Sequence, residues 1–218
     1  MGEIALKRTC MRDRIRDVLV ARILDGTYPA GTQLKELVLA REFNVSQAPI
    51  REALRELEGS GLVRSERFRG TLVRGTDFDE ILESYELRAT LETRALHLAA
   101  PYHSALMAEL TRCLEQMSAM LAGGDLERYI DLAMRFHRCI MEGSGNRAFL
   151  SVWDSLLWDV RGRIVLHRFA ETGRSFQPLL QMHEALLARL RAQDPAGAAE
   201  ELRAILDHVC SAFAPAKS

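Results

Sequence analysis

The chain has 218 residues, of which 48% are hydrophobic, and a formal net charge of -1; this excludes a disordered polypeptide and leaves room for one large or, the better expectation, two modest domains. Cys10, Cys113, Cys139 and Cys210 form no C-x-x-C pair and no regular spacing, so neither a zinc ribbon nor a disulfide framework is indicated and reduced thiols in a cytoplasm fit best. Lys7 and Arg8 follow directly on Ala5 and Leu6, and no apolar run approaches the roughly 18 residues of a membrane span. A soluble cytoplasmic protein with no membrane attachment is expected. The near-neutral total hides a division: residues 1–76 carry 14 Lys and Arg against 10 Asp and Glu, and the remainder 15 against 20. The front part attracts polyanions and the back part does not.

Taken in chain order, Met11, Ile15, Val18, Leu19, Ala21 and Ile23 recur near a 3.6-residue period and predict a helix from Lys7 to Leu24, stopped by Gly26 and Pro29-Ala30-Gly31. A short second helix from about Lys35 to Phe43 buries Leu37, Ala40 and Phe43 and breaks at Asn44-Val45-Ser46, Asn44 suiting a left-handed turn. Ser46 is placed to cap a third helix with its hydroxyl, and Pro49 is tolerated in the first turn, where N–H groups have no intrahelical partner. Ile50, Ala53, Leu54 and Leu57 face a core, while Gln47, Arg51 and Arg55 lie four residues apart on another face that suits a major groove. Leu62–Glu66 and Thr71–Arg74 read as two short strands, with Val63 and Val73 inward and Arg64 and Arg74 outward. Their connection, Arg67-Phe68-Arg69-Gly70, can set backbone and guanidinium groups against phosphates or into a minor groove. Together these elements predict a winged helix-turn-helix over residues 1–76.

The runs Asp25-Gly26-Thr27-Tyr28-Pro29-Ala30-Gly31-Thr32-Gln33-Leu34, Leu39-Ala40-Arg41-Glu42-Phe43-Asn44-Val45-Ser46 and Pro49-Ile50-Arg51-Glu52-Ala53-Leu54-Arg55-Glu56-Leu57, with Gly61-Leu62-Val63 and Arg69-Gly70, resemble the GntR family of bacterial regulators. The resemblance implies that Arg51 is the main base reader, gripping guanine bidentately, and that operator half-sites carry a GT and AC core. Gln47 and Ala48 stand where the family often has Arg and Ser or Thr. Arg55 either contacts phosphate or pairs with a neighbouring Glu of its own helix.

Beyond Asp77 no strand alternation appears. Helices are predicted at about 77–100, 103–122, 125–143, 146–170, 177–193 and 195–214, separated by Pro101, Gly123-Gly124, Gly143-Ser144-Gly145, Gly173 and Asp194-Pro195. An antiparallel all-helical bundle over residues 77–218 is the simplest packing, making the chain mainly α. Arg88 and Glu92, one turn apart, form either a surface ion pair or, with Arg88 turned inward, a binding site for an anionic effector. His137, His183 and His208 lie in three separate helices and can converge in the interior with coordination positions open, as a divalent metal requires. Trp158 and Arg161, one turn apart, can line a pocket for an organic acid or be a core tryptophan and an exposed arginine. His97 and His103 read as structural.

Arg88 to Glu92, Phe136-His137, Gly145-Asn146, His183 and His208 resemble the FCD domain, the ligand-sensing domain of the FadR branch of GntR regulators. The resemblance implies a zinc-like divalent cofactor held by three His and an Asp, with a carboxylate effector at or near it. The position four before His137 is Ala133, which has no donor atom, and Asp131, six before, faces the other side of the helix. The whole reads as a homodimeric, nucleoid-associated bacterial regulator, most simply a repressor, binding double-stranded operator DNA under control of a small organic acid. The alternative is a constitutive dimeric regulator with a vestigial, metal-free pocket. An enzyme is not expected, since no H-E-x-x-H motif and no nucleophile elbow accompany the histidines.

Overall fold

The computed structural model describes residues 11–24, 26–74, 78–156 and 158–213. The chain divides into two compact units, Met1–Asp77 and Phe78–Ser218. The expected start of the first helix, residues 7–10, the junction at 76–77 and the expected end at Ala214 lie outside the described residues.

The first unit contains α1 (Met11–Leu24), β1 (Gln33–Leu34), α2 (Glu36–Glu42), α3 (Gln47–Gly59), β2 (Val63–Glu66) and β3 (Gly70–Val73). Asn44, at φ 52°, makes the left-handed turn between α2 and α3 that its short amide side chain tolerates. Ser46 holds the extended N-cap conformation but its hydroxyl makes no cap hydrogen bond, so the expected cap is one of backbone shape only. One strand escaped the sequence reading: β1 adds to β3, giving an antiparallel sheet in the order β1-β3-β2 with Leu72 opposite both Gln33 and Arg64. Two residues are too few to show a period of two. Ile15 and Leu19 of α1, Ile50, Ala53 and Leu57 of α3, and Val63 and Val73 of the strands close one core. Glu58 of α3 accepts from the Ser65 N–H at 2.7 Å and from its hydroxyl at 3.0 Å, tying the β2–β3 hairpin to the third helix.

Every regular element among the described residues of the second unit is a helix: α4 (Phe78–Ala99), α5 (Ser104–Gly123), α6 (Leu126–Gly143), α7 (Arg147–Ser155), α8 (Trp158–Glu171), α9 (Gln177–Arg191) and α10 (Pro195–Ser211). Polar residues punctuate it as capping chemistry requires: Asp125 accepts from Arg128 N, Asn146 from Ala148 N and Phe149 N, and Asp194 from Gly197 N. His103 is also structural, its Nδ1 accepting from Leu106 N at 3.3 Å. The single helix expected over 146–170 is two, α7 and α8, with α6 packing against both, as α4 packs against α6, α7 and α10. Gly162 permits the close approach of α8 to α6, because a Cβ there would collide with the Met134 thioether.

Candidate DNA-reading surface and effector cavity

Gln47, Ala48, Arg51 and Arg55 are all exposed on α3, on the face opposite its buried stripe of Ile50, Ala53, Leu54 and Leu57. The helix presents a continuous polar edge on a rigid apolar footing. Arg51 is held as a fork by Glu36 of α2, with Nε 3.1 Å from both carboxylate oxygens and Nη2 2.8 Å from Oε2. That hydrogen bonding draws the Glu36 carboxyl below its ordinary range. The guanidinium is thus extended in advance, with two of its donors directed at the Glu36 carboxylate. Sequence spacing gave no sign of this partner.

At the hairpin tip Phe68, at φ 68°, is 93% exposed, and the Arg67 guanidinium lies 4.9 Å above its ring. Arg69 donates to Glu66 at 3.0 Å, and Arg64 pairs with the same carboxylate at 2.8 Å. The Gln33 amide donates to the Arg69 carbonyl, and Gly70 turns the chain at φ 74°. Arg67, Arg69 and Gly70 thus share the tip with an aromatic ring that no core claims.

In the second unit, the cation that sequence left between surface and interior is interior. Arg88 is 1% and Glu92 0% exposed, with Arg88 Nε 2.7 Å from Glu92 Oε1. Glu92 is a hub: Trp153 Nε1 donates to Oε1 at 2.9 Å, and His137 Nδ1 meets Oε2 at 2.6 Å. Burial alone would raise the Glu92 carboxyl, but Arg88 and His137 outweigh it and hold it near about 2. The Arg88 guanidinium is flanked by the Tyr85 and Trp158 rings at 5.3 and 5.4 Å, and its Nη2 has no hydrogen-bond partner within the chain.

Arg88 and Tyr85 line a small cavity, completed by Tyr129, Ala133, Met134 and His137 of α6, Leu166 of α8, Leu179 and His183 of α9, and Ile205, Leu206 and Val209 of α10. The two imidazole rings lie 5.4 Å apart. His137 donates from Nδ1 to a carboxylate and His183 from Nδ1 to the Leu179 carbonyl at 2.7 Å, so in both neutral rings Nε2 keeps its lone pair. Burial, reinforced by neighbouring His137, pushes His183 down to about 3, and burial likewise lowers His137. His183 Nε2 and the Tyr129 hydroxyl are buried without a partner in the chain.

The structure gathers two of the three expected histidines. His208 lies outside the cavity lining, half-buried, its ring 6.0 Å from Phe169, because α10 turns the stripe of Ile205, Leu206 and Val209 inward. Trp158 and Arg161 also stand outside the lining; Trp158 is a wall behind Arg88, with the Arg161 guanidinium 5.9 Å from its ring. Tyr129, which sequence did not single out, belongs to the cavity. A divalent ion here would find two neutral nitrogens, no donor at Ala133 and a guanidinium close by, short of the three or four protein ligands of zinc sites. The residues present do not fit the expected three-His centre.

A winged helix-turn-helix with an exposed arginine on its third helix, joined in one chain to a helical unit enclosing a polar-tipped cavity, is the organisation of a DNA-binding regulator. The match to the bacterial regulatory proteins of the gntR family spans residues 11–73, and that to the FCD domain spans residues 83–208. A gluconate operon transcriptional repressor from Bacillus licheniformis is 31% identical over 193 residues, covering 87% of this chain and 79% of that protein. A protein of Paenarthrobacter nicotinovorans named "Probable D-xylose utilization operon transcriptional repressor" is 29% identical over 211 residues, 97% of this chain and 90% of its own length. A GntR-type regulator structure from Rhodococcus sp. RHA1 superposes with a TM-score of 0.74 at 23% identity, covering 95% of this chain and 99% of the other. The chain belongs to the GntR family and carries an FCD domain, and it is a DNA-binding transcriptional regulator. Among the described residues no helix is long and apolar enough to cross a membrane.

Proposed function

We propose that the protein is a repressor that binds a two-fold operator as a homodimer and is released by a small hydroxycarboxylate bound in the α4–α6–α9–α10 cavity without a metal. Arg51 reads guanine, Gln47 reads adenine through its amide, Ala48 packs on a thymine methyl, and Arg55 with the wing residues Arg67, Arg69 and Gly70 grips phosphate. One recognition helix contacts only a few base pairs, so a pair of half-sites in successive major grooves supplies the required specificity. The names of the relatives, operon repressors, support repression as the mode.

The observation that carries the effector class is the mixture of unmatched groups at the cavity. Arg88 Nη2 offers a buried cationic donor, and His183 Nε2 a buried lone pair. A carboxylate satisfies the first and a ligand hydroxyl the second; Tyr129 serves either. A linear hydrocarbon satisfies neither, and a cation satisfies only the second while facing the charge of Arg88. Arg88 remains shared with Glu92, which fixes its direction.

Calorimetry of chelator-treated protein with gluconate, citrate and lactate as probes, compared with their deoxy analogues, tests this. Saturable binding that prefers the hydroxylated acid and survives chelator is the predicted result. Binding that appears only after zinc is added rejects the metal-free reading, and no binding of any acid supports the constitutive alternative.

A further inference from the structure

A second concentration of ligand chemistry lies away from the cavity, where α5 packs on α6. Cys113 of α5 and Cys139 of α6 are free thiols, 3% and 2% exposed. Glu109 stands one turn before Cys113 on the same helix face. A carboxylate oxygen of Glu109 and the two Sγ atoms all lie within 4.8 Å of one another, and among the described residues this is the one group of three or more His, Cys, Asp or Glu side chains so gathered.

We propose that Glu109, Cys113 and Cys139 bind a thiophilic divalent cation of the zinc class, with water as the fourth ligand. Tetrahedral coordination at zinc–sulfur lengths sets neighbouring sulfurs about 3.7 Å apart, so the donors need to approach one another by at most about 1 Å, within reach of side-chain rotation. Glu109 is only 75% covered, its side chain 25% exposed, which gives the ion a way in and the water a place. Both Glu109 oxygens face arginines, so the ion takes one oxygen over from its arginine and leaves the other paired. Arg112 and Arg135 both pair with Glu109, Arg135 at 3.4 Å. Two thiolates and a carboxylate exceed the charge of a divalent ion by one, and these arginines offset the surplus. Both thiols release their protons to solvent on binding. Two sulfur ligands select zinc, cobalt or cadmium over magnesium and calcium. The consequence is a clip between consecutive helices, independent of the histidines and of the effector.

The test uses the full chain, reduced, stripped of metal by chelator and kept anaerobic, titrated with Co²⁺ while absorption is read. One equivalent of cobalt should give a thiolate-to-cobalt charge-transfer band with tetrahedral visible bands, and zinc should bleach both. Cys113→Ser and Cys139→Ser should each lose most of the charge-transfer intensity, and Glu109→Gln should weaken cobalt binding by at least about tenfold. His183→Ala should leave the bands unchanged. An unchanged helical circular-dichroism spectrum and denaturation midpoint of the metal-free chain shows that a variant is folded, and a zinc-dependent rise in the wild-type melting temperature supports the site with no variant at all. Absence of a thiolate band in the wild type, bands that persist in both cysteine variants, or thiols that only form a disulfide and take up no metal would each overturn it.

Discussion

Arg51–Glu36 and Arg88–Glu92 are chemically the same pair, with closest contacts of 2.8 and 2.7 Å, yet the first has side chains 52% and 32% exposed and the second 1% and 0%. In water the pair is screened and contributes little to stability, so Arg51 can exchange a carboxylate for a base edge at small cost. In the interior the same contact holds position: a buried charge stripped of its partner is strongly destabilising. The DNA-binding unit leaves Arg51 cheap to redirect, and the helical unit holds Arg88 fixed, as the proposed roles of the two cations require.

The comparison is most exposed to failure at Glu92. Glu92→Gln leaves Arg88 without its counter-charge and should cost about 3–5 kcal/mol in chemical denaturation, whereas Glu36→Gln should cost within about 0.5 kcal/mol. Equal effects would break the contrast between the two pairs. Arg51→Ala should weaken binding to the preferred DNA site by about 1–3 kcal/mol per half-site and leave binding to scrambled DNA almost unchanged, read by fluorescence anisotropy at fixed salt.

Acid should unsettle chiefly the interior. His183 sits at about 3 in the fold against 6.5 ordinarily, so between these values the unfolded chain takes up a proton that the folded one refuses. The stability that its neutrality contributes is complete above pH 6.5 and falls by about 1.4 kcal/mol per unit below it. Glu92, held near about 2 against 4.5, acts in the same direction but lower, losing its contribution as pH falls from 4.5 through 2. Denaturation between pH 7 and 5 should show a slope that His183→Leu reduces. The smallest effect is the most diagnostic: Tyr129→Phe removes a buried hydroxyl with no partner, so stability should hold or rise by up to about 1 kcal/mol while effector affinity falls.

How much of this was legible follows from where each residue's environment is decided. The winged module was readable because glycine, proline, Asn44 and a clean buried stripe are local signals, and the exposed face of α3 followed by subtraction. In α4 the pattern misleads: Leu87 is 44% exposed while its neighbour Arg88 is buried, an inversion that only the packing of the other helices and the Glu92 hub can stabilise. The α7–α8 break has no glycine or proline to announce it, so tertiary contacts set it. His208 was grouped with His137 and His183 because the three lie on separate helices and by resemblance, but helical phase turns Ile205 and Val209 to the cavity instead. Cys113 and Cys139, twenty-six positions apart on separate helices, carry no spacing signal at all.

The central claim, that a hydroxycarboxylate in the cavity governs DNA binding, is tested most directly by anisotropy on an operator selected from random-sequence DNA, titrated with the same acids in chelator. The account predicts that at least one acid lowers wild-type affinity by about tenfold or more, and that Tyr129→Phe binds DNA normally but needs more acid for release. DNA affinity indifferent to every acid, or a Tyr129→Phe response identical to wild type, would contradict it.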